Sequence, residues 1–479
     1  MDIYPAEPAT RMVHRAEFKE RDEREGQLRQ MWRMGRNGQN GREERDGHDG
    51  HTGANVIRMD DNRLVYLPPL SKEVNPLSWE QRAHIRESTN PSTNEYPRIF
   101  QAWNKADNLP DEDPVSNLAR HDLCFMTPES LGLQADNSCP GLAAGFTPPS
   151  IAKALSLRKR LLTKNAHAIV LIAIPYRDAL PGYFPVDSAF WQRDNRGEPI
   201  AGWADTLSPQ ACWKIDFTKT EVQNLITAKC LAAINSGVVD GIMLDWWNDG
   251  DADATQNQAR LALLGKIRAA VGADALILIN ANNIRGDGDS PSSKLLNQSA
   301  PLVNGVFMES VQTLDSSGKN WIYTKEDWNN IEKALIWNEA NLRAPRINCL
   351  ELWFQQSRND EVLMRAATTL SLTHSNGYAL FSDPNHLPTP DHLHSWYPFW
   401  GKSLGSPVES PGRKQKDGSS IREFENGTVI YNSMLNKGAV TIAFCDQRVR
   451  ASQADHQAQP AGTPFVIEVG DGDLFLKVK

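Results

Sequence analysis

No apolar run in this chain is long enough to cross a bilayer as a helix. Positive charge is not in excess either. Lys and Arg number 51 against 59 Asp and Glu, a net charge of −8, which argues against a nucleic-acid binder because such proteins carry a basic face. Cysteine is scarce and scattered. Cys124, Cys139, Cys212, Cys230, Cys349 and Cys445 include no close pair of the kind that marks a metal site or a redox motif. Buried free thiols are expected, with a Cys124–Cys139 disulfide left open. No Gly-rich phosphate loop follows any apolar run, which speaks against a dinucleotide-binding sheet. No apolar signal core opens the sequence, so it carries no secretion address and the compartment stays unassigned. No internal repeat is present.

What is abundant is tryptophan, fourteen residues in 479. Buried indoles need a partner for their N–H, and exposed ones are platforms for flat apolar ligand faces. The length allows two or three domains, or one large barrel with attachments. Residues 1–61 mix Arg, Glu, Asp, Gly, Asn and Gln with few large apolar groups. They cannot bury enough surface to offset ordering, and the segment is expected to be disordered, with at most a transient charged helix over 15–36.

From about residue 96 short apolar runs alternate with longer amphipathic ones. The expected strands are 98–103, 122–126, 168–175, 239–246, 275–281, 305–309, 347–353 and 378–382. Helical periodicity falls between most of them, over 150–162, 219–234, 256–271, 325–342 and 361–374. A capping box, Thr220 with Gln223, is expected to open the second of these helices. The link between the first two strands is the weakest part of the pattern. Eight strands alternating with helices predict a (β/α)8 TIM barrel over 62–400, with an open doubly wound sheet as the alternative. After 401 the texture changes to short alternating runs at 421–424, 428–431, 439–444, 465–469 and 474–478, separated by Asn-Gly, Lys-Gly and Asp-Gly turns. That predicts a C-terminal antiparallel β-sandwich over 401–479.

In such a barrel the chemistry lies where strands end at their C-terminal tips. The run Val238-Val239-Asp240-Gly241-Ile242-Met243-Leu244-Asp245-Trp246-Trp247 ends in an acid and two indoles. The sixth strand ends in Glu309, the seventh contains Glu351, the eighth ends in Asp383, and the third runs into Tyr176-Arg177-Asp178. Carboxylates converging on one rim repel each other, which raises the pKa of one and leaves another ionised. Glycosidic cleavage needs that split between a proton donor and a nucleophile or base. Asp245 is the expected nucleophile and Glu309 the expected acid, with Glu351 either a substrate ligand or a substitute for Glu309. A helix cap or an Arg pair is the plainer role for any of these acids, and Asp383-Pro384 also reads as a turn. Asp240, at the other end of its strand, is expected to be structural. Trp103, Asn104, Asp122, Tyr176, Arg177, Asp178, Trp246, Trp247, Asn280, Asn282, Glu351, Trp353 and Asp383 complete the expected sugar-binding set, indoles for the pyranose faces and amides or carboxylates for hydroxyls. Some of the indoles are expected to fill the barrel rim instead. His386, His392 and His394, with His121, are the candidate metal ligands, but zinc chemistry needs further ligands at other strand ends.

These residues resemble an uncharacterised group described as hypothetical glycosyl hydrolase family 15. The resemblance lies in Tyr96-Pro97-Arg98-Ile99-Phe100-Gln101-Ala102-Trp103, Ala119-Arg120-His121-Asp122-Leu123, the run ending in Trp247, Leu370-Ser371-Leu372-Thr373-His374-Ser375-Asn376-Gly377-Tyr378, and Arg422-Glu423-Phe424-Glu425-Asn426-Gly427. Asp383-Pro384-Asn385 and Trp396-Tyr397-Pro398-Phe399-Trp400 add to it. It covers about 96 to the C-terminus and implies a TIM-barrel glycosidase. More distantly, Asp240-Gly241-Ile242-Met243-Leu244-Asp245 is similar to the fourth-strand motif of endo-α-1,4-polygalactosaminidase-type barrels, where that aspartate works with a sixth-strand glutamate. The resemblance implies the pair Asp245 and Glu309, although indoles follow Asp245 where that group often has further acids. The expected function is therefore hydrolysis of an oligo- or polysaccharide with no cofactor and no metal. The alternatives are a non-catalytic carbohydrate-binding barrel and, behind it, a metal-dependent hydrolase. Neither the sugar, the linkage nor the oligomeric state follows from the sequence.

Overall fold

The computed structural model describes the backbone of 56–58 and 64–66 and residues 76–204, 211–248, 253–412, 414–453 and 457–478. The segment expected to be disordered, 1–61, lies outside the described residues except for Val56–Arg58, which pairs antiparallel with Leu64–Tyr66.

Eight apolar runs form one sheet: β1 (Phe100–Ala102), β2 (Leu123–Met126), β3 (Ile169–Ala173), β4 (Gly241–Leu244), β5 (Leu276–Asn280), β6 (Gly305–Ser310), β7 (Cys349–Trp353) and β8 (Tyr378–Ser382). They pair in chain order and always in parallel. Ile99 bridges to Ala379, and the Ala379 N–H donates to the Arg98 carbonyl at 3.0 Å. The eighth strand thereby returns to the first, the sheet has no open edge, and the architecture is the expected barrel rather than a doubly wound sheet. Both faces of the strands are covered, so β2, β4 and β5 are buried throughout and read as continuous apolar runs. Gly241 opens β4 because its neighbour passes too close for a side chain: a Cβ there would lie 2.1 Å from the Leu276 carbonyl oxygen.

Helix α1 (Trp79–Thr89) precedes β1 and covers the N-terminal ends of the strands, with the Gln81 amide donating to the Val239 carbonyl at 3.4 Å. Helices α2 (Pro114–Leu118), α3 (Pro148–Lys164), α4 (Thr220–Asn235), α5 (Ala254–Val271), α6 (Pro291–Ser299), α7 (Lys325–Asn341) and α8 (Glu361–His374) follow β1 to β7 in turn. The weak first connection is a helix of only 5 residues. The expected capping box does not form. Thr220 is the first helical residue, Lys219 precedes it without a side-chain cap, and the Gln223 amide instead donates to the Phe217 carbonyl at 3.1 Å. Asp240 is structural, as its position suggested: Arg158 holds both its oxygens, at 3.0 and 2.6 Å, on the side of the barrel away from the mouth.

The C-terminal strands are β9 (Ser420–Phe424), β10 (Gly427–Asn432), β11 (Val440–Ala443), β12 (Arg448–Arg450), β13 (Ala458–Gln459), β14 (Pro464–Ile467) and β15 (Asp471–Lys477). A sheet ordered β9-β10-β15-β12-β13 faces the pair β11-β14 across Ile430, Val440, Phe465, Ile467 and Phe475. This sandwich packs on α8. Arg365 of α8 pairs with Asp471 at 2.8 Å, and Gly472 comes so close to the helix that a Cβ would meet Thr369 Oγ1 at 1.9 Å. Asp471-Gly472 is therefore strand rather than the expected turn, and Gly470, with φ of 75°, makes the bend instead. All six cysteines are free. Among the described residues no helix is long and apolar enough to cross a membrane.

Candidate active site

The barrel interior is filled by Phe100, Phe125 and Phe307, from β1, β2 and β6, with ring centroids 5.2 to 6.0 Å apart. Trp103 stacks edge-on to Phe125 at 4.8 Å, and His392 lies against Trp103 at 5.0 Å with the rings nearly parallel. Above this aromatic floor the strand tips bring two acids together. Asp245 immediately follows β4 and Glu309 lies near the end of β6. The side-chain nitrogen of Asn280, the last residue of β5 between them, donates to both: 2.9 Å to Asp245 Oδ1 and 2.8 Å to Glu309 Oε2. The Asn282 N–H donates to Asn280 Oδ1 at 3.2 Å, which fixes the amide with its nitrogen toward the acids. The two N–H bonds of one amide diverge by roughly 120°, so the two bonded oxygens stand roughly 5 Å apart.

Burial raises both carboxyls, but not equally. For Asp245 the cost of burial outweighs the bonds from Asn280 and the Trp246 N–H, and the group is pushed up to about 6. For Glu309 burial, reinforced by the charges of Glu351, Asp391 and Asp245, overcomes the opposing effect of His392 and pushes the group up to about 8. Near neutral pH, Asp245 is the ionised member and Glu309 the protonated one. Asn385, on the loop after β8, donates to the second oxygen of Glu309, while its own Oδ1 is buried without a partner.

The remaining expected site residues divide by position. Trp103, Asn104, Trp246 and Asn282 are partly exposed at the mouth. Arg177 lies over the Trp246 ring at 4.4 Å and pairs with Asp178 at 2.7 Å. Asp178 also accepts from the Trp203 N–H at 2.7 Å, so this acid holds the wall and one face of the indole together. Tyr176 is buried and its hydroxyl donates to the Trp246 carbonyl at 2.8 Å, behind the mouth. Five others do not face the opening. Trp247 is buried, its N–H on Ser299 at 3.0 Å. Asp122 is at the far end of the barrel, accepting from the Ile99 N–H at 2.9 Å. Asp383 is buried against Arg358, which also grips Asp107 at 2.6 Å. Trp353 and Glu351 are buried on β7, with Glu351 in register with Glu309 on the neighbouring strand. Both Glu351 oxygens are occupied, by Ser382 at 2.6 Å, by the Trp353 N–H at 3.2 Å and by His392 at 2.9 and 3.0 Å.

Three residues of the β8 loop enter the site without having been assigned there by the sequence: Asn385 on Glu309, Asp391, and His392. The sequence signals for them are their proximity to a strand tip, the Asp383-Pro384-Asn385 run and the cluster of His386, His392 and His394. The backbone carries a second signal. Among the described residues, four non-glycine residues have φ in the left-handed region: Trp103, Trp246 and Asn282, partly exposed at this mouth, and His392, buried against Trp103. Such strain persists where surrounding structure enforces it, and it concentrates at functional sites. Among the described residues no group of three or more His, Cys, Asp or Glu side chains is arranged to hold a metal ion. His121 and His394 meet each other, Nε2 to Nε2 at 3.0 Å, below the rim.

No family model and no curated protein sequence matches the chain. Among solved structures it is similar to an alpha-amylase from Lactobacillus plantarum, at 12% identity and a TM-score of 0.47, over 83% of this chain and 100% of that one. It is also similar to an alpha-amylase from Geobacillus thermoleovorans complexed with acarbose, at 10% identity and a TM-score of 0.45, over 80% and 98%. A variant glycoside hydrolase domain of PelA from Pseudomonas aeruginosa aligns at 12% identity and a TM-score of 0.39, over 63% and 100%. With so few shared residues, none of these likenesses transfers a role to a residue here.

Proposed function

We propose that the protein is a glycoside hydrolase acting on an oligo- or polysaccharide with retention of anomeric configuration. The observation that carries this reading is the Asn280 amide nitrogen that binds Asp245 and Glu309 at once. It sets one oxygen of each carboxyl roughly 5 Å apart, nearer the about 5–5.5 Å of retaining enzymes than the about 6.5–9.5 Å across which inverting enzymes place a water. In the first step the Asp245 carboxylate attacks the anomeric carbon while Glu309 gives its proton to the departing oxygen. In the second, Glu309 takes a proton from water, the water oxygen bonds to the anomeric carbon, and Asp245 leaves. Trp246 and Trp103, partly exposed at the mouth, suit the apolar faces of sugar rings. The pair Asp245 and Glu309 is also the one that the sequence resemblance to the polygalactosaminidase-type barrels implies.

The test is a panel of α- and β-linked oligosaccharides offered to the native protein and to Asp245→Asn. Release of reducing ends by the native protein alone, with the first-formed anomer matching the substrate by proton NMR, is the expected result. First-formed product of the opposite anomer would overturn retention. Saturable binding with no hydrolysis would point to the carbohydrate-binding alternative.

A further inference from the structure

His392 is a buried residue, with φ of 54°, on the loop after β8. Its Nδ1 lies 2.9 and 3.0 Å from the two oxygens of Glu351, and its Nε2 lies 3.3 Å from Asp391 Oδ2. Both ring nitrogens therefore face carboxylate oxygens. A neutral imidazole has one donor and can serve only one of these acids, whereas the imidazolium has two and suits both. Trp103 covers one face of the ring, and Phe307 meets it edge-on at 5.4 Å. Asp391 is itself anchored, its backbone carbonyl accepting from Asn104 at 2.6 Å. The chain thus uses a strained backbone, two acids and two aromatic rings to hold one positive charge beside Glu309.

We propose that His392 is a positioning residue for the acid pair: clamped between Glu351 and Asp391, its imidazolium limits how tightly Glu309 holds its proton, so that one carboxyl serves first as acid and then as base. The proposal rests on the retaining reading of Asp245 and Glu309. In that reading Glu309 must release its proton to the leaving oxygen and then accept one from water. The groups that act on Glu309 are Asp245 from the β4 tip, Glu351 from β7, Asp391 and His392 from the β8 loop, and the Tyr323 hydroxyl before α7. Three of these are acids that favour the proton, and His392 is the cation that opposes them. Once Asp245 is esterified by the sugar its charge is gone, and the imidazolium then opposes two carboxylates instead of three. Glu309 becomes the weaker proton holder that a general base must be. His392 keeps its own proton through both steps: burial works against the charged ring, but Asp391 and Glu351 outweigh it and hold the group well above the ordinary imidazole range. His394, two residues on and buried against His121, is pushed the other way by burial, to about 4, so it adds no second charge near neutral pH.

Two measurements on the full chain test this, and neither needs a substrate. In the native protein labelled with 15N-histidine, the His392 resonances are expected to show both ring nitrogens protonated at pH 7.5. A neutral ring there would overturn the proposal, and this measurement stands even if substitutions at 392 fail to fold. In protein labelled at the glutamate carboxyl carbons, with Glu309 assigned through Glu309→Gln, the Glu309 midpoint is expected to rise by about one pH unit or more in His392→Gln. An unmoved midpoint would overturn it. A role in packing alone would admit solvent on substitution and lower the midpoint, the opposite direction. Turnover of an oligosaccharide with an unmoved midpoint would leave the glycosidase standing without this role for His392. A charged ring and a shifted midpoint in a protein that cleaves no glycoside would unseat the glycosidase instead.

Discussion

Replacing Glu309 by glutamine should stabilise the protein, and by an amount that grows with pH. In the unfolded chain this carboxyl ionises near its ordinary value of 4.5, whereas in the site it keeps its proton to about 8. Below the lower value both states are neutral and the glutamate costs nothing. As pH rises the unfolded chain gives up its proton first, so the folded state loses stability until the site itself ionises near 8, and above that the penalty is constant. At about 1.4 kcal/mol per pH unit the gap corresponds to on the order of 4–5 kcal/mol, which solvent at the partly exposed carboxyl reduces to about 2–4 kcal/mol. Glutamine keeps the shape and the bonding. Its oxygen can accept from Asn280, and its nitrogen can donate to Asn385 Oδ1, which is buried without a partner, once that amide is turned. Urea unfolding of both proteins at pH 5 and pH 8.5 measures the difference. The variant should gain less than about 1 kcal/mol at pH 5 and about 2–4 kcal/mol at pH 8.5 while losing turnover, the pattern of a site that gives up stability for chemistry. An equal gain at both pH values, or a loss at pH 8.5, would show that Glu309 titrates near its ordinary range and cannot be the proton donor.

Three further outcomes are expected. The pH profile of kcat/KM should rise as Asp245 ionises near 6 and fall as Glu309 ionises near 8, and a flat profile across that window would separate the pair from the reaction. Trp246→Ala should raise KM by roughly tenfold with little effect on unfolding, while Trp247→Ala, which empties a buried site and removes the indole bond to Ser299, should cost about 3–5 kcal/mol of stability. Parallel effects of the two indole substitutions would refute the division between wall and core. Arg358→Met should destabilise by about 2–3 kcal/mol, because it leaves the buried Asp383 carboxylate without its partner, and Asp383→Asn in the same chain should restore most of that loss in thermal unfolding.

The sequence and the structure agree where burial dictates composition and part where direction matters. Strands covered on both faces must be apolar throughout, so the eight barrel strands stood out as runs, and an acid closing such a run stood out in turn. Asp245 and Glu309 were legible for that reason. Which way a residue beyond a strand tip points is set by backbone torsions that adjacent residues do not reveal. Trp246 and Trp247 are the same residue type side by side, yet the left-handed φ of 54° at Trp246 leaves its ring at the mouth while Trp247 turns into the core. Glu351 looked like a site acid because it is polar and lies on a strand. What makes it structural is His392, 41 residues further along, on a loop with no periodicity to announce it. From the sequence Asn280 reads as a sugar ligand, since an amide at a strand tip suits a hydroxyl as well as it suits two carboxylates. Its bridging role depends on β4, β5 and β6 being neighbours in that order, which is a property of the closed sheet and not of any one run. The acids were therefore readable one by one. Their spacing, and with it the proposed retention and the part proposed for His392, depends on the barrel that brings them together.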